Sequence, residues 1–460
     1  MADRRSTDAE GGPIGRRSTG TVGAMERTVV RDHRRAERIR GDADVTPTGG
    51  TPMPEDLVAA DRPIRRLVLI AAAAVLLLAG IIGYALTRPT AWHRSGPPAT
   101  VSGWAPYWQT DSALASFTTN RNVFSNLSLF AYHAVAADSV TAFDGLGSGV
   151  LDNYRSAAHA AGVALTASII DDMPAHGMAT VLADPTSRAT HVATIVAFAA
   201  ANGFDGIDLD YEKFAFSDGR STWDTTRPNW VAFVTDLATA LHAAKKMLTI
   251  SAPPSGDYSV YDYEAIGKVV DGIRIMAYDY STGAAGPIAP IAWVENIIAA
   301  AKKLVPADKL VLGVPVYGYD WPAQITGTCP GGQADQPHRR NVSAKTANAL
   351  AAAKGIVPTW IPAVAERTFG YTEQLSGVDA GGAATTCTVT HTVWYSDAES
   401  VHDRAYLAER DDLAGIAVWS LGSDDDLVWS GIAAARANVK VWPPVTASSS
   451  VATASTATTG

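Results

Sequence analysis

Four carboxylate side chains stand within nine residues of this chain, in the segment FDGIDLDYE at residues 204–212. If the segment is a β-strand, its two-residue period places Asp208, Asp210 and Glu212 on one face. Neighbouring carboxylates repel one another when all are ionised, so such a row adds little stability to a fold. The row is therefore typical of a site that shares protons or holds a cation, more than of a solvated edge strand.

The elements around this segment alternate between strand and helix patterns. β-Branched and aromatic runs predict further strands at residues 100–107, 126–133, 163–170, 247–252, 272–279, 310–317 and 415–421. Apolar side chains at helical spacing predict helices at residues 152–161, 186–202, 229–245, 263–270, 291–304 and 399–410. Eight strands, mostly followed by helices, over about 340 residues predict an α/β fold, the (β/α)8 TIM barrel. A doubly wound open sheet is the alternative, but no glycine-rich phosphate-binding turn follows the first strand.

An insertion interrupts this alternation between the seventh and eighth strands, from about residue 320 to 393. It is rich in Gly, Thr and Pro and holds both cysteines of the chain, Cys329 and Cys387. We predict a structural Cys329–Cys387 disulfide at its base if this part of the chain lies outside the cytoplasm. Two free thiols are the alternative.

Composition excludes several classes of protein. The 460 residues are 47% hydrophobic and carry a formal net charge of −9. The apolar fraction suffices for a large core, and the absence of a sustained basic face in the body of the chain argues against a nucleic-acid partner. Two cysteines and ten scattered histidines do not give the spacing of a metal site.

A membrane anchor is predicted near the N-terminus, at residues 63–87. Its central part, residues 67–86 (LVLIAAAAVLLLAGIIGYAL), is uncharged and long enough to cross a bilayer as one helix. Because Arg62, Arg65 and Arg66 precede it, we expect a single-pass protein with a cytoplasmic N-terminus and an extracellular remainder. A cleaved signal peptide is the alternative, although the preceding segment is far too long and no clear A-x-A site follows.

The remaining segments complete the predicted organisation. Residues 1–62 are rich in Arg, Asp, Gly, Thr and Pro, a composition typical of a disordered cytoplasmic segment. Residues 88–98 form a linker, and residues 99–442 contain the predicted barrel. The Ser/Thr-rich residues 443–460 are predicted to be a disordered tail.

The barrel prediction assigns different positions to the four carboxylates. Active sites of such barrels lie at the C-terminal ends of the strands, so Glu212 is expected at the rim as the proton donor. Asp210 and Asp208 lie successively deeper and cannot both ionise comfortably, so we expect them to share a proton. Asp205 has the opposite parity in the strand and is predicted to be structural.

Aromatic residues stand at the predicted ends of four other strands. They are Trp104, Tyr107, Trp108, Tyr278, Tyr280, Tyr317, Tyr319, Trp321 and Trp419. Aromatic faces stack on the C–H faces of pyranose rings while carboxylates bind hydroxyl groups, so the combination is typical of a sugar-binding cleft. For any single ring, a place in the barrel core is at least as good an interpretation.

These motifs resemble those of the family 18 glycoside hydrolases. Residues 205–212, DGIDLDYE, match the family signature DGxDxDxE, and residues 276–279, MAYD, match its M-x-Y-D pattern. Residues 313–318, GVPVYG, match GxPxYG, and the tryptophan of the last strand is Trp419. The resemblance implies a TIM-barrel glycosidase with a small α+β insertion between strands seven and eight.

One strand departs from the family pattern. The resemblance covers about residues 100–440, but the common S-x-G-G of the third strand is replaced here by SIID at residues 168–171. The family pattern therefore does not predict the shape of the substrate site beside this strand.

The resemblance also implies a mechanism, in which the substrate assists its own hydrolysis with retention of configuration. Glu212 would protonate the glycosidic oxygen while the substrate's N-acetyl oxygen attacks the anomeric carbon. Asp210 would hold the acetamido N–H, Asp208 would exchange a proton with Asp210, and Tyr278 would bind the acetamido carbonyl. The predicted substrate-binding residues are Trp419, Asp279, Met276, Tyr107 and Trp108. No metal or cofactor is implied.

The predicted function is that of a membrane-anchored, extracytoplasmic glycosidase acting on β-linked N-acetylglucosamine. Wall glycan (peptidoglycan) ranks slightly above chitin as the substrate, because no separate chitin-binding module is visible. A non-catalytic, chitinase-like carbohydrate-binding protein is the alternative; loss of the acid would mark such a protein, and Glu212 is present. A structural surface protein would leave the acidic row unexplained.

Overall fold

The computed structural model describes residues 94, 97–256, 258–332 and 335–442. Its strands are β1 (Thr100–Pro106), β2 (Phe124–Ala136), β3 (Ser139–Ala142), β4 (Ala164–Asp171), β5 (Gly206–Asp210), β6 (Met247–Ala252), β7 (Gly272–Ile275), β8 (Leu310–Pro315), β9 (Tyr317–Gly327), β10 (Arg340–Ser343), β11 (Thr359–Ile361), β12 (Glu366–Val378), β13 (Ala384–Tyr395) and β14 (Gly415–Trp419). Its helices are α1 (Thr110–Asn120), α2 (Val150–Ala160), α3 (Gly177–Ala183), α4 (Pro185–Ala201), α5 (Lys213–Phe216), α6 (Trp223–Ala243), α7 (Tyr263–Ile266), α8 (Ile291–Ala301), α9 (Ala344–Ala353), α10 (Ala398–Arg410) and α11 (Asp426–Arg436).

Eight parallel strands of the described region close into a barrel. Their order is β1-β14-β8-β7-β6-β5-β4-β2, and β1 completes the ring by pairing with both β14 and β2. The predicted (β/α)8 barrel is thereby confirmed. Because helices cover the outer face, apolar strand residues such as Ile207, Leu209 and Ile250 are fully buried.

Helices between the barrel strands bury an apolar face against the barrel. The longest, α6, is an example, because Trp230, Phe233, Leu237 and Leu241 recur three or four residues apart and are all fully buried. This spacing places them on one side of the helix, facing the strands. The apolar residues whose spacing predicted the helix are therefore the same residues that pack it against the barrel.

The insertion between β8 and β14 is a small α+β unit, as predicted. Its antiparallel sheet has the order β10-β9-β13-β12-β11, and α9 packs on it through Ala344, Ala347 and Ala351. The sheet runs from Tyr317 to Tyr395, somewhat beyond the predicted bounds of 320 and 393. The predicted disulfide is present: Cys329 and Cys387 are joined with their Cα atoms 4.7 Å apart.

The predicted membrane anchor at residues 63–87 lies outside the described residues, as do residues 1–62 and the predicted tail at residues 443–460. Among the helices that the structure describes, none combines the length and apolar character needed to cross a bilayer.

Two strands end earlier than predicted, before the residues that are predicted to be catalytic. β5 ends at Asp210 and β7 ends at Ile275, so Glu212 and Tyr278 lie in the loops that follow these strands. β2 continues past the predicted end and forms an unpredicted antiparallel hairpin with β3. The loops at the C-terminal end of the barrel therefore carry more of the site than the strand predictions assigned to them.

Candidate active site

Asp208 is fully buried inside the barrel. It forms the base of a column of carboxyl groups that Asp210 and Glu212 continue toward the open end of the barrel. Its oxygens are surrounded by donors from four other strands, which places the side chain in the barrel interior. The donors are Thr249 Oγ1 at 2.8 Å and Ser251 Oγ at 3.0 Å to Oδ1, and Trp104 Nε1 at 2.7 Å, Ser168 Oγ at 3.0 Å and Arg274 Nη1 at 3.1 Å to Oδ2. This donor set is suited to an ionised carboxylate.

Arg274 is the counter-charge of Asp208 and was not predicted. Its side chain is only 2% exposed, and its guanidinium also donates to Ser128 Oγ and Asn126 Oδ1, each at 2.6 Å. The guanidinium carbon lies 5.2 Å from the ring centroid of Trp104. Burying one charge is costly, so the two charges are stable here only as a pair with their hydrogen bonds made. The sequence signal that could have identified it is a single arginine within the otherwise apolar strand GIRI.

Asp210 lies one strand repeat closer to the open end of the barrel. It is 6% exposed, and its buried Oδ1 has no hydrogen-bond partner in the described part of the chain. Burial raises the pKa of Asp210 well above its usual value, and the charges of Glu212 and Asp208 add to the effect. Between the described residues, no hydrogen bond joins Asp208 to Asp210, so their predicted proton exchange stays a prediction.

Glu212 stands beyond the end of β5, where the chain turns into the short helix α5. The residue is partly exposed at the open end of the barrel. Burial of the carboxyl group raises the pKa of Glu212 to about 7, with further contributions from the charges of Asp171 and Asp279. A carboxyl group with such a pKa holds a proton near neutral pH, which is the requirement for a general acid.

Tyr278 lies beside these carboxyl groups in the loop after β7. Burial and the charges of Asp210 and Glu212 raise the pKa of Tyr278, so its hydroxyl group keeps its proton. Gly313 of β8 leaves room for the ring, because a Cβ at that position would lie 2.9 Å from Tyr278 Cε1 and 2.6 Å from the carbonyl oxygen of Ile275. Gly313 of the GVPVYG motif therefore leaves the space that Tyr278 of the MAYD motif occupies.

Asp279 follows Tyr278 and is fixed by the insertion. Its φ of 59° lies in the left-handed region, and its Oδ1 accepts from the hydroxyl groups of Tyr317 at 2.5 Å and Tyr319 at 2.7 Å. Both tyrosines belong to β9, so the first strand of the insertion holds the loop after β7. Met276, another predicted substrate-binding residue, is partly exposed in this loop.

Three predicted substrate-binding aromatics lie together at the end of the barrel. The ring of Trp419 is 6.2 Å from that of Trp108 and 5.1 Å from that of Phe130, both edge to face. Tyr107 contacts Trp108 in the same way at 5.0 Å. Trp108 is 56% exposed, so the cluster offers an aromatic face to solvent beside the carboxyl groups.

Three of the nine aromatic residues at the predicted strand ends are buried, namely Trp104, Tyr319 and Trp321. Trp104 points into the barrel, where its indole N–H donates to Asp208. Trp321 packs against Tyr319 and Ile288 under the insertion. These rings therefore follow the core interpretation that the sequence left open for each single aromatic residue, because the strand pattern shows which residues are aromatic but not which way each ring turns.

Asp205 lies at the start of β5, at the other end of the strand from Glu212. Its Oδ2 accepts from the backbone N–H of Leu165 at 2.8 Å and lies 2.9 Å from His159 Nε2. These contacts connect the starts of β4 and β5 to helix α2. They separate Asp205 from the column of carboxyl groups and are consistent with the predicted structural role.

The three carboxyl groups of the column, Asp208, Asp210 and Glu212, have different environments. Asp208 is surrounded by donors, whereas Asp210 and Glu212 have raised pKa values. No cluster of three or more His, Cys, Asp or Glu side chains in the described ranges has an arrangement that could hold a metal ion.

The raised pKa values predict that stability falls as pH rises through the window from about 4 to 7. Asp171, Asp210 and Glu212 keep protons in the folded state that they lose in the unfolded state, so the folded state binds more protons and alkaline pH favours unfolding. Removing one such group, as in Glu212→Gln, should raise the free energy of unfolding by on the order of 2 kcal/mol at about pH 8 and by little at about pH 4. Urea unfolding of both proteins at the two pH values tests this; an equal change at both would contradict it.

Comparisons with known proteins agree with this geometry. The model of the glycosyl hydrolases family 18 matches residues 103–424. The putative sporulation-specific glycosylase YdhD of Bacillus subtilis (strain 168) is 28% identical over 248 residues, 52% of each chain. The cortical fragment-lytic enzyme of Bacillus anthracis is 27% identical over 251 residues, 53% of this chain and 52% of that protein. The chain thus spans about half the length of these two curated relatives.

A solved protein structure is also similar to this chain. A chitinase from Chromobacterium violaceum ATCC 12472 superposes with a TM-score of 0.60 at 26% identity, covering 73% of this chain and 98% of that one. The similarity therefore extends over nearly the whole of that protein.

Proposed function

The chain belongs to glycosyl hydrolase family 18 and is a glycoside hydrolase, and we propose that it cleaves β-linked N-acetylglucosamine glycans with the help of the substrate's own acetamido group. One observation carries the proposal. Glu212, with a pKa of about 7, stands at the open end of the barrel next to Asp210, whose buried Oδ1 has no partner in the described residues. The first group can give a proton, and the second has an unused position for an acetamido N–H.

The proposed reaction has two steps. Glu212 donates its proton to the glycosidic oxygen as the bond from that oxygen to the anomeric carbon breaks, and the acetamido carbonyl oxygen forms a new bond to this carbon. Asp210 passes its proton to the Asp208 carboxylate, and the resulting Asp210 carboxylate accepts a hydrogen bond from the acetamido N–H and stabilises the positive charge of the cyclic intermediate. Tyr278 donates a hydrogen bond to the acetamido oxygen. Water then attacks the anomeric carbon, gives a proton to the Glu212 carboxylate, and reopens the ring with retained configuration.

Bacterial wall glycan is the proposed substrate, ahead of chitin. Both polymers contain β-linked N-acetylglucosamine, so the column of carboxyl groups serves either. The ranking is supported by the names of two relatives, a cortical fragment-lytic enzyme and a sporulation-specific glycosylase. The chitinase among the solved structures keeps chitin as the second candidate.

We also propose that the barrel works outside the cytoplasm, held at the membrane by residues 67–86. The uncharged segment and the arginines before it support this orientation. The Cys329–Cys387 disulfide supports it independently, because such bonds persist in oxidising compartments.

Digestion products test the proposed function. The full-length protein in detergent is incubated with purified peptidoglycan and, separately, with chitin oligomers, and the products are identified by mass. Fragments ending in reducing N-acetylglucosamine are expected from the wall, and their absence together with release of chitobiose from chitin would reverse the ranking. If neither glycan is cut by the wild-type protein while both are bound, the proposed activity is wrong.

The pH dependence of the rate gives a second test. Since Glu212 must be protonated to act and its pKa is raised to about 7, kcat/KM should fall about tenfold per pH unit above that value. A fluorogenic N-acetylglucosamine oligomer allows the profile to be measured by initial rates. A rate that stays constant up to about pH 9 would exclude a single acid with this pKa.

A further inference from the structure

Asp171 occupies the last position of β4, where the family pattern S-x-G-G has glycine. Its side chain is 1% exposed, although carboxylates are seldom fully buried without a partner of opposite charge. The sequence pattern marked this position as a departure but assigned no role to it.

Three consecutive backbone N–H groups of the neighbouring loop provide the partners. Oδ1 of Asp171 accepts from the N–H groups of Glu212 and Lys213, and Oδ2 accepts from that of Phe214, all at 2.8 Å. These groups belong to the turn that leads from β5 into α5. The carboxyl group therefore ties the backbone of Glu212 itself to the adjacent strand.

We propose that Asp171 is a positioning residue for Glu212, holding its backbone from the neighbouring strand and keeping a second carboxyl group beside the proton donor. The inference rests on the proposed role of Glu212 as the acid. A glycine at this position, as in the family pattern, has no side chain with which to make any of these contacts.

The charge of Asp171 gives this contact an effect beyond holding the loop. Burial raises the pKa of Asp171 to about 6, against the opposing effect of the three N–H groups, so the group is ionised at neutral pH. Its charge in turn raises the pKa of Glu212. The other titratable groups around Glu212 are Asp279 after β7, Asp210 on β5 with Arg274 behind it, and the hydroxyl groups of Tyr278 and Tyr261.

Asp171→Asn separates the two roles. The amide keeps an oxygen for the N–H groups of Glu212 and Lys213 but carries no charge. We expect the alkaline limb of the kcat/KM profile to move down by about one pH unit, which lowers kcat/KM about fivefold at pH 7. KM should stay unchanged, because a side chain with 1% exposure does not touch the glycan.

Asp172 supplies the matched control. It is the next residue and also a carboxylate, but its oxygens pair with the side chains of Lys213 and His133. Asp172→Asn removes the same charge without touching the backbone of Glu212, and its profile should match that of the wild type. If Asp171→Asn unfolds at the assay temperature, Asp171→Ser, which keeps a neutral acceptor, is predicted to shift the limb in the same direction.

The outcomes distinguish this inference from the proposed function. An active wild type, an inactive Glu212→Gln and an unchanged limb in folded Asp171→Asn would overturn the effect of the Asp171 charge on Glu212. A folded Asp171→Ala, which keeps none of the three contacts, with the same kcat as Asp171→Asn would overturn the hold on the Glu212 backbone. Neither result would contradict the proposed role of Glu212. Equal shifts in Asp171→Asn and Asp172→Asn would also overturn the specific effect of the Asp171 charge, because they would show a general effect of charge. Full activity of Glu212→Gln would instead overturn the proposed role of Glu212.

Discussion

Glu212→Gln is expected to lower kcat by about 10²- to 10⁴-fold while glycan binding is retained. The amide has nearly the same shape as the protonated carboxyl group, but it cannot give a proton to the leaving oxygen. The affinity should change little, because Asp210, Tyr278 and the aromatic cluster around Trp419 remain in place. Initial rates on a fluorogenic N-acetylglucosamine oligomer and calorimetric titration with an uncleaved oligomer measure the two quantities separately.

Glu295→Gln is the matched control for this experiment. Glu295 lies on the outer helix α8, where its carboxylate pairs with Arg410 at 2.6 Å on the surface. The same chemical change there should leave kcat within about twofold, since an exposed ion pair contributes little. If Glu212→Gln were as active as Glu295→Gln, the acid would have to be another group of the site.

The barrel and its acidic strand could be predicted because both depend on local patterns. A strand that is buried on both faces has a nearly continuous apolar sequence, which predicts it as a barrel strand. In the acidic strand, Asp208 and Asp210 alternate with Ile207 and Leu209, as the two-residue period of a strand requires. The family motifs then located Tyr278 and Trp419. Each of these inferences needs only neighbouring residues along the chain.

Other features could not be predicted because they depend on contacts between distant strands. Asp208 and Arg274 meet across the barrel, and no local pattern pairs them. Trp104 turns inward to the same carboxylate instead of standing at the rim. Asp171 reaches the backbone of Glu212 on the next strand. The supporting contacts of the site are therefore tertiary, whereas the residues that bear the chemistry are evident from their spacing.

Arg274→Met is expected to lower the free energy of unfolding by about 3–5 kcal/mol. Methionine fills a similar volume but leaves the fully buried carboxylate of Asp208 without its counter-charge. It also removes the donors to Ser128 and Asn126. Urea unfolding followed by tryptophan fluorescence measures the loss. Arg227→Met, at an exposed pair with Asp224, should change stability by less than about 0.5 kcal/mol and serves as the control.

A double variant tests whether the cost arises from the uncompensated charge. In Arg274→Met combined with Asp208→Asn neither member of the pair is charged, so the double variant should be more stable than the sum of the two single losses predicts. A coupling of about 2 kcal/mol or more is expected for two buried groups in direct contact. Strictly additive losses would instead mean that Arg274 stabilises the barrel by its packing against Trp104 and its hydrogen bonds to Ser128 and Asn126. In that case the charge of Asp208 would be held by its hydroxyl and indole donors alone.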